Sequence, residues 1–411
     1  MADLSALAGA EHFLAGLAAV LAAGLLAHWL AARLKLPDLV LFLCLGALLG
    51  PHAAGLLDVP SGSLLEVGLL CFGASYILFE GGLDARLSQL REIGVTVGLL
   101  ATLGVLITAA LVAATAHFSL AMPWLQAALL GSCISATDPA ALIPLFKQIR
   151  VRQRLAQAVI CEAAFNDAVS AVLAFALLGG AGAGAALSAQ GVVGDFFLQA
   201  GLGLMVGLLL GLLAGVVVGH DRWGFLRAHT ALAMLVTVIA AYAAASLVHG
   251  SGFMAVFVAG MVIGNRDLLG LRLSEHEARH LHEYTETTSL VLRMLLFMLV
   301  GAKLDFAAMA AHWAGTLACV ACLVLVARPL AVLACALPDR RARWSGREIL
   351  FMCWTRETGV IPAVLAGLLL AGGLEGAGQI AAVIFSAVLV TLVLQGGTTR
   401  WVAKLLGVAH A

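Results

Sequence analysis

The chain has 411 residues, of which 62% are hydrophobic and only 11% charged, against about a quarter charged in an ordinary soluble domain; such a chain cannot clothe a water-facing surface. Lysine plus arginine and aspartate plus glutamate both total 23, so no net charge points to nucleic acid or to an anionic partner. Apolar runs recur at roughly the 17–25 residues an α-helix needs to cross a bilayer, which makes the expected fold class an all-α polytopic membrane protein and excludes a β-barrel.

In chain order the apolar segments cover residues 10–32, 38–50, 64–82, 92–117, 123–146, 155–178, 195–218, 228–249, 252–264, 285–303, 310–337, 348–371 and 377–399, thirteen expected spans. The first is too long for a signal-peptide core and lacks a basic start, so it is expected to be retained. Cys44, Cys71, Cys133, Cys161, Cys319, Cys322, Cys335 and Cys353 lie inside apolar segments without the histidine clustering of zinc sites. The Cys319/Cys322 pair reads as small apolar filler.

Every second connection on this map is basic: Arg33 and Lys35; Arg86 and Arg91; Lys147, Arg150, Arg152 and Arg154; Arg222 and Arg227; Arg266, Arg272 and Arg279; Arg340, Arg341, Arg343 and Arg347; then Arg400 and Lys404. The intervening connections hold only Lys303, and Arg293, Arg328 and Arg356 fall within spans. Cytoplasmic loops carry the Lys/Arg excess. The alternation therefore places the N-terminus outside and the C-terminus in the cytoplasm, with no soluble domain expected after the last span.

A long-period repeat is visible. Gly46-Ala-Leu-Leu-Gly50 ends span two and Gly260-Met-Val-Ile-Gly264 ends span nine; Phe79 to Asp84 closes span three and Leu299 to Asp305 closes span ten. Both offsets are seven spans, an odd number, so two halves would lie upside down relative to each other, as in secondary transporters. The expected organisation is one membrane domain over 1–411: a first inverted repeat of six helices at 10–178, a linking helix at 195–218 and a second repeat at 228–399.

Charged side chains kept in a membrane span are functional hypotheses by default, and three spans carry most of them. Span five reads Ser135-Ala136-Thr137-Asp138-Pro139. Pro139 removes a backbone donor and disfavours helix in the residue before it, so the chain should unwind near Thr137 and Asp138. Freed carbonyls beside a carboxylate make a site for a hard cation; a bare proline kink capped by Thr or Asp is the competing reading. Span twelve, Trp354-Thr355-Arg356-Glu357-Thr358-Gly359-Val360-Ile361-Pro362, is likewise interrupted by glycine and Pro362, with charges at the break. Arg356 and Glu357 read as support for the broken helix, or as a local ion pair.

Span six holds Glu162, Asn166 and Asp167. At 100° per residue Glu162 and Asn166 share a face, and Asp167 lies about 140° round from Glu162. Glu162 needs a counter-charge: Arg328 in span eleven is the first candidate, Arg293 in span ten the second. Such a pair locks geometry more than it adds stability, because desolvation offsets the Coulomb gain. Asp167 is left to hold either a proton or a cation. Competition for one carboxylate, coupled to alternating access, suffices for exchange. Glu80 reads as interfacial with a possible place in an entry path, and His276, His280 and His282 as loop residues that could tune a pH response.

With these residues placed, the chain resembles the NhaP/NHE-type cation:proton antiporters over nearly all its length. The resemblance rests on Ala136-Thr137-Asp138-Pro139, the spacing of Glu162 to Asn166-Asp167, the stretch Ser251 to Gly260, and Arg328-Pro329. It implies thirteen spans, crossed broken helices five and twelve, and a homodimer in a bacterial inner membrane. It further implies that Asp167 is the exchanging carboxylate, that Asp138 and Thr137 help coordinate Na+, Li+ or K+, and that Glu162 pairs with Arg328. An Asn-Asp pair in place of two aspartates resembles the electroneutral branch, with one proton per cation. Two positions depart from the family pattern: Ala163 stands where a serine is common, and Trp354 to Gly359 replaces a Gly-Leu-Arg-Gly stretch and adds Glu357.

No enzyme activity, resident cofactor, nucleic acid or obligate protein partner is expected, only membrane lipid and a second copy of the chain. A cation channel or its regulatory subunit would not need a proton-titratable aspartate. An anion transporter of related fold would need unpaired cations at the midplane, whereas this sequence offers carboxylates.

Overall fold

The computed structural model describes residues 4–34, 36–51, 53–138, 143, 146, 149, 151–182, 189–220, 224–271, 273–304 and 306–409. Helices account for almost all of them: α1 (Leu4–Leu34), α2 (Asp38–Leu49), α3 (Leu64–Asp84), α4 (Leu90–Leu120), α5 (Trp124–Ile134), α6 (Gln153–Gly182), α7 (Ala189–Gly219), α8 (Thr230–Leu247), α9 (Gly252–Gly264), α10 (Glu275–Ala302), α11 (Trp313–Ala336), α12 (Gly346–Trp354), α13 (Val360–Ala371) and α14 (Ala377–Leu406). A short helix, Phe306–Ala311, precedes α11. Among the described residues, nine helices are long and apolar enough to cross a membrane, and α2, α5, α9 and α13 are shorter apolar helices. A helix lies on each apolar segment read from the sequence.

Local chemistry sets the ends. Ser63 and Ser251 accept from backbone amides of the first turns of α3 and α9, and Ser274–Glu277 and Ser345–Glu348 form full capping boxes on α10 and α12; each satisfies donors that a helix start leaves open. Large apolar side chains face outward, and a polar cluster lies inside an otherwise apolar core. Leu25, Leu26, Leu209 and Leu213 are exposed, while Thr137, Asp138, Glu162, Asn166, Asp167, Arg328, Arg356 and Glu357 are buried. Lipid favours that arrangement, because charged groups need protein or water around them.

Close backbone approach is the main packing device. A Cβ on Gly46 of α2 would stand 2.2 Å from the Met298 carbonyl of α10, and one on Gly260 of α9 would stand 2.2 Å from the Phe79 carbonyl of α3. Small residues let membrane helices touch where no hydrophobic drive separates protein from lipid. α2 thus packs on α10 as α9 packs on α3. Among the described residues, three helices contain a π-helical turn: α4 at Leu100–Gly104, α11 at Cys322–Ala327 and α14 at Thr391–Gly396. All three flank the buried polar residues described next. π-Turns free local backbone groups and often mark function.

Outside these helices, the loop before α12 ties three elements together. Asp339 accepts from the Thr96 amide at 3.0 Å and hydroxyl at 2.6 Å, Trp344 Nε1 donates to Thr96 Oγ1 at 2.8 Å, and Arg154 at the start of α6 donates to the Ala342 carbonyl at 2.5 Å. Glu348 faces Arg152 and Arg154 at 3.7 and 3.4 Å.

Candidate ion-exchange site

The site forms where two interrupted helices meet. α5 ends at Ile134, the described chain runs without helix to Asp138, and α12 ends at Trp354 with non-helical residues until α13 begins at Val360. The Asp138 amide donates to the Glu357 carbonyl at 2.9 Å, so the two breaks are bonded backbone to backbone. Gly359 permits the approach: a Cβ there would lie 2.0 Å from Asp138 Oδ2 and 2.2 Å from Asp138 Cβ. Pro139, the residue expected to unwind span five, lies outside the described residues. Pro362 is buried in the first turn of α13, where a missing amide costs no helical hydrogen bond.

Arg356 reaches back across the crossing. Its Nη2 donates to the Ile134 and Ser135 carbonyls at 3.0 and 2.8 Å, supplying donors to the open C-terminal end of α5. The local Arg356–Glu357 pair weighed from the sequence does not form, since neither Glu357 carboxyl oxygen has a hydrogen-bond partner among the described residues. The backbone geometry gives the two neighbours separate tasks.

α6 presents its polar face to the crossing. Asn166 Oδ1 accepts from the Thr137 amide at 3.1 Å, and its Nδ2 donates to Thr137 Oγ1 at 2.8 Å and Glu162 Oε1 at 3.1 Å. Ser170 one turn on meets Ser135, Oγ to Oγ at 2.8 Å. Arg328 grips Glu162 in the bidentate manner, Nη1 to Oε1 at 2.7 Å and Nη2 to Oε2 at 2.9 Å. Two further donors go to the Met352 carbonyl at 2.9 Å and the Thr355 carbonyl at 3.1 Å, at the end of α12. One guanidinium therefore joins α6, α11 and the break in span twelve. Charge-assisted forks of this kind are the strongest side-chain hydrogen bonds. A cavity of about 10 Å³ beside it, lined by Thr108, Ser135, Glu162, Asn166, Arg328 and Arg356 among others, is the size of a single water.

Asp167 is placed differently. It is buried, its Oδ1 has no hydrogen-bond partner among the described residues, and Asp138 and Glu162 are the carboxylates within its electrostatic reach. Arg293, the alternative partner considered for Glu162, faces Glu80 on α3 at 3.7 Å, because α10 packs against α3. Glu80 accordingly turns toward α10 and is mostly shielded.

Sequence reasoning passed over the residues that hold the second break from behind. Gln395 Nε2 donates to the Trp354 carbonyl at 2.6 Å, Thr391 Oγ1 accepts from the Thr358 amide at 3.0 Å, and Trp354 Nε1 donates to Thr398 at 3.0 Å. The signal was present: Thr391, Gln395 and Thr399 recur every fourth residue along α14, which is one face.

Buried oxygen donors at crossed, interrupted membrane helices can strip and hold a small cation, and a carboxylate among them can take a proton instead. The comparisons agree with that chemistry. A family profile described as "Sodium/hydrogen exchanger, transmembrane" matches residues 17–405. The chain is 30% identical over 399 residues to the "K(+)/H(+) antiporter NhaP2" of Shewanella sp. (strain MR-4), covering 96% of this chain and 67% of that protein. It is 29% identical to "Na(+)/H(+) antiporter 1" of Methanocaldococcus jannaschii, over 85% of this chain and 81% of the relative. The solved structure of the sodium proton antiporter MjNhaP1 from M. jannaschii at pH 8 superposes with a TM-score of 0.79 at 26% identity, covering 96% of this chain and 100% of the other. The chain is a multi-pass membrane protein and belongs to the sodium/hydrogen exchanger family.

Proposed function

We propose that the protein exchanges a monovalent cation, Na+, Li+ or K+, for H+ by competition of the two for Asp167, with alternating access to the two sides of the membrane. The observation that carries this reading is the contrast inside the site. Glu162 is fully engaged by Arg328 and Asn166, whereas buried Asp167, near Asp138, keeps an oxygen without a partner among the described residues. A carboxylate buried without a fixed counter-charge must gain a proton or a cation. Asn166 engages Thr137 and Glu162 and adds no charge, which supports one proton per cation.

The wider architecture fits the same reading. Thirteen spans in two inverted repeats would relate α2 to α9 and α3 to α10; the paired contacts of α2 on α10 and α9 on α3 support this, as do π-turns in both α4 and α11. With its basic loops cytoplasmic, the chain would sit as a homodimer in a bacterial inner membrane. The anion reading loses ground because the guanidinium of Arg328 is spent on Glu162, while that of Arg356 directs its Nη2 to the α5 carbonyls.

Purified protein in liposomes carrying an internal pH dye tests the proposal. Addition of Na+, Li+ or K+ should drive proton movement in wild type and none above the empty-liposome level in Asp167→Asn; retained activity in that variant refutes the mechanism. Collapsing the membrane potential should leave the rate unchanged if exchange is one for one.

A further inference from the structure

The crossing holds four buried carboxylates, Asp138, Glu162, Asp167 and Glu357, and two buried guanidinium groups, Arg328 and Arg356. The pair of Glu162 with Arg328 and the exchange proposed at Asp167 account for two of the carboxylates. Glu357 is 1% exposed, and neither of its carboxyl oxygens has a hydrogen-bond partner among the described residues. Its side chain turns toward α14: a Cβ on Gly396 would lie 3.8 Å from Glu357 Cγ and 4.0 Å from Oε1. There it meets the π-turn of α14, where Gln395 is fully buried and its Oε1 is likewise without a partner, its Nε2 being held by the Trp354 carbonyl. Thr399, the hydroxyl beside the carboxyl, donates to the Gln395 carbonyl at 2.6 Å and has no proton left for Glu357.

Two carboxyl oxygens of Glu357, and one amide oxygen of Gln395 on the turn of α14 that Glu357 approaches, are thus buried without a hydrogen-bond partner among the described residues. Burying unsatisfied acceptors costs about 1–3 kcal/mol each, and more when charged. An all-oxygen set with a single negative charge matches a dehydrated alkali cation. The charged groups facing Glu357 from neighbouring elements are Arg328 of α11 and Asp138 of span five; α14 offers Thr391, Gln395 and Thr399. We infer that Glu357 and Gln395 form a second monovalent-cation site, on the α14 side of the crossing and separate from Asp167. Because the Glu357 carbonyl accepts the Asp138 amide, the ion at this site bears on the geometry of the first. The inference rests on the reading of Asp167 as the exchanging site.

Equilibrium binding of radioactive sodium and of rubidium to purified protein in lipid nanodiscs at alkaline pH tests it. Wild type should bind two equivalents of one of these ions per chain, and Glu357→Gln and Asp167→Asn one each. A single equivalent in wild type means that Glu357 carries a proton instead, and overturns the site; so does a count that Glu357→Gln leaves unchanged. Should Glu357→Gln not fold, Gln395→Met keeps the volume and removes the amide oxygen, and should weaken one of the two affinities about fivefold, the value of one neutral polar contact. Unchanged affinities in that variant also overturn the site. Transport surviving in Asp167→Asn would instead defeat the exchange mechanism and leave the Glu357 count standing.

Discussion

Glu162 and Asp167 sit five residues apart on one helix, both buried and both acidic, yet they live in opposite circumstances. Glu162 accepts two hydrogen bonds from Arg328 and one from Asn166, whereas Asp167 has an oxygen with no partner among the described residues. The difference arises from helical phase. Residues four apart stack on one face, so Asn166 can serve Glu162, and the next residue is turned about 100° away. Satisfaction makes a carboxylate structural, and incompleteness makes it exchangeable. Asp167→Asn should therefore abolish cation-driven proton flux in liposomes while thermal unfolding in detergent stays close to wild type. A large loss of stability would mean that Asp167 is held in place by groups other than its cargo.

The other arm of the comparison is tested by Arg328→Ala. Removing one partner of a buried pair leaves an uncompensated charge and costs about 3–5 kcal/mol. Here the same substitution also releases the Met352 and Thr355 carbonyls at the end of α12. Denaturant or thermal unfolding should show a loss of that size, and Glu162→Gln with Arg328→Met should recover part of it. A cost below about 1 kcal/mol would place Glu162 in the same class as Asp167.

Much of this division was legible in the chain itself. Charges in apolar spans, a proline after Asp138 and the four-residue spacing of Glu162 and Asn166 mark the site, because lipid makes such residues costly to keep. Other features could not be read, since they depend on contacts across the fold. Nothing in Arg356 says that it reaches the Ile134 and Ser135 carbonyls more than 200 positions away. Arg293 and Arg328 look alike along the chain, and only the packing of α10 on α3 sends Arg293 to Glu80. The oxygen face of α14 was readable by its period, but its role was not, because the break it supports lies in another helix.

Gly359 probes how closely the two breaks must fit. An added Cβ would overlap Asp138 at 2.0–2.4 Å, and Asp138 is held by the backbone bond to Glu357, so the crossing must open. Displacement on the ångström scale costs about a hundredfold where reacting groups must be aligned. Gly359→Ala should lower the exchange rate by about that factor while leaving the Glu162–Arg328 pair, and hence most of the stability, in place. Equal losses of activity and fold would show that the two carboxylate environments are one unit.

The smallest effect is expected at Asp339, a third carboxylate, in the loop between α11 and α12. Burial pushes its carboxyl up, but the Thr96 hydroxyl and the amides of Ala342, Arg341 and Thr96 outweigh that and hold it below its ordinary value. A carboxyl lowered on folding stabilises the protein at pH above its unfolded-state value, near 4, and that contribution is lost as pH falls through the lower folded value. Wild type in detergent should lose stability below about pH 4, and Asp339→Asn should remove part of that dependence and cost about 1–2 kcal/mol at neutral pH, the range of a charge-assisted hydrogen bond. Transport at neutral pH should change little, because Asp339 joins α4 to the loop ahead of α12 and touches no group at the crossing. A strong transport defect would instead mean that this loop, and not the crossing alone, governs how the interrupted helices move.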